Sequence, residues 1–258
     1  DVQLISNTNI AVSADLLDRM METVKGPELR NWCHEVGLLD DNSDFADKKQ
    51  RGNSITVREA RTFIINYFLG NSVIDFEKEK TDGVIAKTGG NDEDWDKLKE
   101  EHPEMWNDKK LKEAGIAFAK LAKKQKEYFA EDGKKPSREY ADKAFNYAII
   151  ASWAFVAGLL SENDVRRIRH FELPEHSKKD PLNAEALASA RHKSDPENYR
   201  GLGTRTDAKE RGRLIELFYL QAEEGKGITK AHINLALSKY FAKQANLEVQ
   251  KIEKKVRR

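Results

Sequence analysis

The sequence predicts a mainly α-helical protein, a multi-helix, bundle-like body with long loops and little or no sheet. Apolar residues recur at helical spacings of three and four, and no segment shows clear period-two alternation. Only 6 Pro and 15 Gly occur in 258 residues, so long helices are seldom interrupted. The apolar fraction of 39% and the charged fraction of 34% are typical of a helix-rich protein with a real core and much solvated surface.

Three helices are predicted in the N-terminal part: residues 13–25, 27–36 and 56–70. Ser13 is a typical N-cap for the first helix, and Pro27 lies in the favoured first turn of the second. Thr56 and Glu59 have the spacing of a capping box for the third. Residues 72–95 lack periodicity and are predicted to form a connection with one short strand at Val84-Ile85.

The C-terminal part is predicted to contain helices at 103–129, 138–159, 183–192, 207–224 and 229–250, with a short helix after Ser161 and an extension of the last helix to about Val256. The 17-residue apolar run 144–160 falls short of the 20 or so residues that span a bilayer. It therefore predicts a helix buried on nearly all sides. We expect no membrane association.

Charge divides the chain into two parts. Residues 1–110 carry a net formal charge of −8 and residues 111–258 carry +9, which together give the overall +1. We therefore predict an acidic helical part over 1–90 and a basic helical part over 91–258, with one continuous domain as the alternative. Since the chain begins at Asp1 rather than at Met, a missing upstream segment is also left open.

Several functional classes are disfavoured by composition. The single cysteine, Cys33, excludes an internal disulfide framework and a cysteine-based zinc cluster, and it is predicted to be a small buried side chain. The six histidines lack the spacing of a helical metal motif, so we expect no metal and no cofactor. A secretory leader is not recognisable at the N-terminus. These observations favour a cytoplasmic protein.

A basic cluster at the C-terminus is the first candidate site. Lys254, Lys255, Arg257 and Arg258 end the last predicted helix. Such cations neutralise phosphates and add affinity without sequence choice. Alternatively, they are a solvated helix end that complements the helix dipole.

A glycine- and arginine-rich stretch at 199–206 is the second candidate. Arg200, Gly201, Gly203 and Arg205 directly precede a helix start, where freed backbone amides and guanidinium groups can cradle an anion. The stretch matches neither the phosphate-binding loop nor the dinucleotide fingerprint. The alternative is a tight turn whose arginines pair with carboxylates such as Asp207 and Glu210.

The last two predicted helices also allow a helix-turn-helix. A short glycine-containing turn separates helices 207–224 and 229–250, and Lys230 lies in the first turn of the second, where such motifs contact DNA. Any antiparallel helical hairpin has the same pattern, so both interpretations stay open.

The block 195–217, Asp-Pro-Glu-Asn-Tyr-Arg-Gly-Leu-Gly-Thr-Arg-Thr-Asp-Ala-Lys-Glu-Arg-Gly-Arg-Leu-Ile-Glu-Leu, resembles the helical region of bacterial and phage proteins with a ParB-like or DGQHR-type domain. The Ala151-Ser152-Trp153 helix extends the resemblance to about 151–217. The resemblance implies a DNA-associated protein of phage, plasmid or defence systems. The chain lacks an Asp-Gly-Gln-His-Arg string and an arginine-rich ParB box, so no catalytic residue carries over.

Three functional hypotheses result. The first is a non-enzymatic module that binds DNA or RNA through the basic C-terminal half. The second is a protein-interaction or oligomerisation domain, in which the acidic half of one copy meets the basic half of another in a homo-oligomer. The third, which the sequence supports least, is an enzyme with an anion site around 199–206.

Overall fold

The computed structural model describes residues 13–47, 55–76, 88–131, 138–161, 180–191 and 201–257. Within these ranges all regular secondary structure is helical and no strand is present, which confirms the mainly α prediction. The strand predicted at Val84-Ile85 and the short helix predicted after Ser161 lie outside the described residues.

The α-helices are α1 (Ala14–Lys25), α2 (Glu28–Val36), α3 (Val57–Asn71), α4 (Asp92–Glu101), α5 (Lys109–Glu131), α6 (Arg138–Ala141), α7 (Tyr147–Ser161), α8 (Ala184–Ala188), α9 (Ala208–Glu224) and α10 (Lys230–Val256). Short 3₁₀ turns at Met105–Asn107 and Lys143–Phe145 precede α5 and α7.

The crossing of α3 and α7 forms the centre of the molecule. At the crossing the two backbones touch, because a Cβ atom at Gly70 would overlap the carbonyl oxygen of Phe155, and one at Gly158 would overlap that of Tyr67. Glycine is therefore required on both helices by close approach rather than by a turn. Near this crossing the Asn71 amide donates to the Ser161 hydroxyl at 3.1 Å.

Aromatic side chains fill the space beside this crossing. The ring of Phe63 lies 5.8 Å from that of Trp32, 5.4 Å from that of Phe118 and 6.0 Å from that of Trp153, measured between centroids. All four side chains are buried. Helices α2, α3, α5 and α7 thus share one core.

Helix α7 is buried from its second residue onward, since every residue from Ala148 to Ser161 is buried. The prediction of a helix surrounded by protein on nearly all sides is confirmed. No helix in the described part of the chain has both the length and the apolarity to cross a membrane.

Helix α1 packs on α3 through its polar face. Asp18 forms an ion pair with Arg58, and the Glu22 carboxylate binds the buried guanidinium of Arg61. The opposite, apolar face of α1 is exposed, with Val24 at 82%. Ion pairs rather than apolar contacts therefore orient this helix.

The connection predicted over residues 72–95 is wrong at its C-terminal end, where a helix begins. Residues 92–101 form α4, and its N-cap is Asn91, whose side-chain oxygen accepts from the Glu93 amide at 3.1 Å. Trp95 and Leu98 anchor the helix by burial. Two apolar residues among carboxylates are too few for a periodicity signal, which is why the helix was missed.

Helix α5 also begins later than predicted. It starts at Lys109 rather than at Pro103, because the Asp108 carboxylate accepts from the amides of Lys110 and Leu111 at 2.8 and 3.1 Å and so caps the helix there. Similarly, α8 ends at Ala188 and is shorter than the predicted 183–192.

The core continues across residue 90. Helix α3 belongs to the predicted acidic part and α7 to the basic part, yet their backbones are in contact. The division into 1–90 and 91–258 stays a prediction.

At the C-terminal end, α9 and α10 have the predicted bounds. Gly225 ends α9 in the left-handed region, with φ of 62°, and Thr229 caps α10 by accepting from the His232 amide at 3.2 Å. Helix α10 continues to Val256, as predicted.

Candidate nucleic-acid interface

The C-terminal half of α10 leaves the body of the protein. The buried residues of this helix are Ile233, Ala236, Leu237 and Tyr240. From Glu248 to Arg257 every residue is exposed. The last turns of α10 are therefore accessible from all sides.

The predicted phosphate-binding cations lie on this accessible segment. Lys254, Lys255 and Arg257 are exposed, and within the described residues no carboxylate lies within ion-pair distance of any of them. Nearby, Lys251 pairs with Glu248 at 3.5 Å. Arg258 lies outside the described residues. The three described cations are thus available to an external anion, although they also complement the helix dipole.

Lys230 occupies the other end of α10. It is exposed in the first turn, 24 residues before Lys254, and at 1.5 Å per residue the two are about 36 Å apart. The turn before it is fixed by side chains, since His232 contacts Thr229 at 2.9 Å and Glu224 at 3.0 Å. The structure therefore does not gather Lys230 and the basic end into one cluster, and the helix-turn-helix stays a prediction.

The glycine-rich loop packs on α8. Gly201 has φ of 75°, and a side chain there would overlap the carbonyl oxygen of Ala188. The next amide, of Leu202, donates to the carbonyl oxygen of Leu187 at 2.8 Å. Arg200 lies outside the described residues. Glycine at 201 is explained by this close approach.

Glu210 accepts the backbone amides that the sequence assigned to an external anion. Its buried carboxylate accepts from the amides of Gly203 and Thr204, the latter at 3.3 Å. Arg205 and Arg213 approach the same carboxylate at 3.7 and 3.8 Å. The structure thus brings Gly203 and Arg205 together around a carboxylate of the chain itself, as in the alternative interpretation.

Burial governs the protonation of Glu210. Desolvation raises the pKa of this carboxyl above its ordinary 4.5, although the Gly203 and Thr204 amides and the nearby arginines act in the opposite direction. A raised pKa can mark a carboxyl with a catalytic or binding function. The Glu210 carboxylate instead holds the loop in place, because it accepts hydrogen bonds from the Gly203 and Thr204 amides. Asp207 caps α9 and places Glu210 in its first turn, which is a local signal for this arrangement.

Lysines of α5 line a cavity that the sequence analysis did not predict. The cavity has a volume of about 600 Å³ and lies between α5 and the end of α2. Lys120, Lys123 and Lys126 contribute cations, and Asp40 and Asp41 contribute carboxylates. Burial lowers the pKa of Lys126, whose ammonium lies 4.9 Å from the centroid of Phe145. Mixed charges at its rim leave the cavity without a clear ligand preference.

The described residues do not support a metal site or a nucleophilic thiol. They contain no group of three or more histidine, cysteine or acidic side chains arranged to hold a metal ion. Cys33 is fully buried, as predicted, and burial raises the pKa of its thiol well above the ordinary value. A thiol held protonated and away from solvent is a poor nucleophile.

Comparison with known proteins gave no match: no family model, no curated protein and no solved structure is significantly similar to this chain.

Proposed function

We propose that this chain is a non-enzymatic helical module that associates with nucleic acid through the basic end of α10, in a phage, plasmid or defence context. One observation carries the proposal. Lys254, Lys255 and Arg257 stand exposed on a projecting helix end, and no carboxylate within the described residues neutralises them.

A projecting cationic helix end suits phosphate binding. Each Lys or Arg that neutralises a phosphate releases condensed counterions, which favours binding at low salt. Contacts of this kind position a protein without reading bases, so the proposal covers DNA and RNA alike. Helix α10 adds no residue to the core after Tyr240, so these cations are not needed for packing.

The alternative, an interaction domain that pairs acidic and basic halves of two copies, is favoured less. Several N-terminal carboxylates already pair within the chain, as Asp18 does with Arg58, Glu22 with Arg61, and Asp44 with Arg30 at 2.9 Å. These acidic groups offer a second copy less unpaired charge than the sequence suggests. The enzyme hypothesis is also favoured less, because Glu210 accepts the amides of the 199–206 loop.

The experiment is binding of labelled double- and single-stranded DNA and RNA to the wild-type chain and to the variant Lys254→Glu/Lys255→Glu/Arg257→Glu. We expect the triple reversal to weaken binding at low salt at least about tenfold, because three phosphate contacts become repulsive.

The matched control is Lys97→Glu/Lys109→Glu/Lys226→Glu, which changes net charge equally at exposed positions outside α10. It should keep most of the affinity if the site is the helix end. Equal losses in both triple variants would indicate a response to net charge alone. Undetectable binding by the wild-type chain at low salt would remove the proposal.

A further inference from the structure

Helix α10 presents a second exposed feature, a stripe of small and apolar residues that we call the α10 stripe. Its members recur at alternating spacings of three and four and are all exposed: Leu235, Ser238, Ala242, Ala245, Val249, Ile252 and Val256. The core-facing residues Ile233, Ala236, Leu237 and Tyr240 belong to a different face. Helix α10 therefore has one face that packs on its own body and an opposite face that is exposed.

The apolar character of the stripe increases where the helix leaves the body. Val249, Ile252 and Val256 are 53%, 54% and 80% exposed, although β-branched apolar side chains are usually buried. The average spacing of 3.5 residues is that of the seam in a two-helix coiled coil. The stripe thus has the pattern of a helix that packs along another helix.

We propose that the α10 stripe pairs with the α10 stripe of a second copy of this chain, as a short antiparallel coiled coil. In this arrangement Val249 packs against Ile252 of the second copy, and Ala245 against Val256, each contact occurring twice. The overlap covers residues 245–256, or about 18 Å of helix at 1.5 Å per residue. Because the seam is short, the dimer is weak and depends on concentration.

Charges beside the stripe select the antiparallel direction. Glu248 and Lys255 flank it on the same side, seven residues apart, and both are exposed. In the antiparallel pair, Glu248 of each copy faces Lys255 of the other, which gives two attractive contacts. A parallel pair would place Glu248 opposite Glu253 of the second copy, which gives two repulsive contacts.

The same charges select the register. A shift by one heptad toward the body would bring the two Glu248 side chains together. It would also set Ala242 rather than Val249 against Ile252 of the second copy. The register centred on Val249 and Ile252 therefore combines the largest apolar contacts with attraction between charges.

This inference goes beyond the proposed function and does not depend on it. Lys254 and Arg257 point away from the stripe in the heptad pattern, so pairing leaves these two cations of the proposed phosphate site available, whereas Lys255 faces Glu248 of the second copy. The dimer would carry a basic cluster at each end of the seam. If the chain does not bind nucleic acid, the proposed dimer is unaffected. If the chain does not form the dimer, the proposed nucleic-acid binding is unaffected.

Sedimentation of nucleic-acid-free protein over a concentration series tests the proposal. We expect the wild-type chain to approach a dimer as concentration rises, and Glu248→Lys and Lys255→Glu each to weaken association about fivefold. A mixture of these two variants should associate at least as well as the wild type, because both contacts become attractive again. Lys254→Glu is the matched control: it changes net charge as Lys255→Glu does, at the neighbouring outward position, and should leave association unchanged.

Three results would overturn the proposal. A wild-type chain that stays monomeric up to about 1 mM has no such seam. Stronger association of Glu248→Lys would indicate parallel pairing, because its lysine would face Glu253. Association that Val249→Asp/Ile252→Asp leaves intact would place the dimer contact elsewhere, and since both positions are exposed we expect this variant to keep its fold, as checked by circular dichroism.

Discussion

Helix α7 and the end of α10 are opposites within one chain. Every side chain of α7 from Ala148 to Ser161 is buried, whereas every side chain of α10 from Glu248 to Arg257 is exposed. Packing explains the residues of α7, including Gly158. The residues at the end of α10 contribute nothing to the described core, so packing does not explain their basic and apolar patterns.

The cations of α3 and of the end of α10 differ in the same way. The guanidinium of Arg61 is buried, binds Glu22 and contacts Asp92 at 2.8 Å. Lys254 and Lys255 are exposed, with no ion pair among the described residues. The charge of Arg61 thus serves the fold, whereas the charges of Lys254 and Lys255 are exposed and available for binding.

The largest expected effect concerns the α3–α7 crossing. We expect Gly158→Val to lower the free energy of unfolding by more than about 3 kcal/mol, because the side chain would overlap the Tyr67 carbonyl oxygen and force the helices apart. Denaturant unfolding measures this. In the control Gly90→Ala, the nearest atoms are the end of the flexible Arg58 side chain at 3.3 Å, and a change within about 0.5 kcal/mol is expected. A similar cost in both variants would contradict the close crossing.

The next largest effect on the free energy of unfolding is expected from removing a buried cation rather than an exposed one. Arg61→Met should destabilise the protein by about 3 kcal/mol, since it leaves the buried Glu22 carboxylate without its cation. Lys254→Met should change the free energy of unfolding by less than about 0.5 kcal/mol. Thermal or denaturant unfolding of the pair decides the comparison, and equal stability of the two variants would refute it.

A smaller effect depends on pH. Burial alone would raise the pKa of Asp44, but hydrogen bonds from Arg30 and the Phe45 amide, with the charge of Arg19, lower it below its ordinary 3.8. A lowered pKa contributes stability above the ordinary value that is lost as pH falls through the lowered one. The stability difference between wild type and Asp44→Asn should therefore be largest near neutral pH and shrink below about pH 4. A difference that is independent of pH would contradict the ion pair.

Local signals explain which parts of the fold were predictable. Helices α3, α9 and α10 carry their own caps, Thr56, Asp207 and Thr229, so each could be placed from nearby residues. The apolar run 144–160 predicted a buried helix, but the predicted start at 138 was wrong, because a 3₁₀ turn at Lys143–Phe145 separates α6 from α7. Helix α4 was missed although Asn91 caps it, because only its residues Trp95 and Leu98 are buried and its polar sequence shows no helical periodicity.

The candidate site was predictable only in part. The basic residues at the end of α10 were evident from the sequence, but only the fold shows that this helix end projects from the body. The loop at 199–206 was recognised as unusual, yet its amides reach Glu210 through a turn that no single-sequence pattern specifies. The buried ion pair of Arg61 could not be predicted from the sequence, because an arginine on a helix face is ordinarily solvated.

The most direct test of the central claim is the salt dependence of nucleic-acid binding by this chain. If Lys254, Lys255 and Arg257 each neutralise one phosphate, affinity for duplex DNA should fall about 40-fold between 50 and 200 mM salt, and the triple reversal should remove most of that dependence. Binding that is insensitive to salt, or a slope unchanged by the triple reversal, would contradict the assignment of the end of α10 as the nucleic-acid interface.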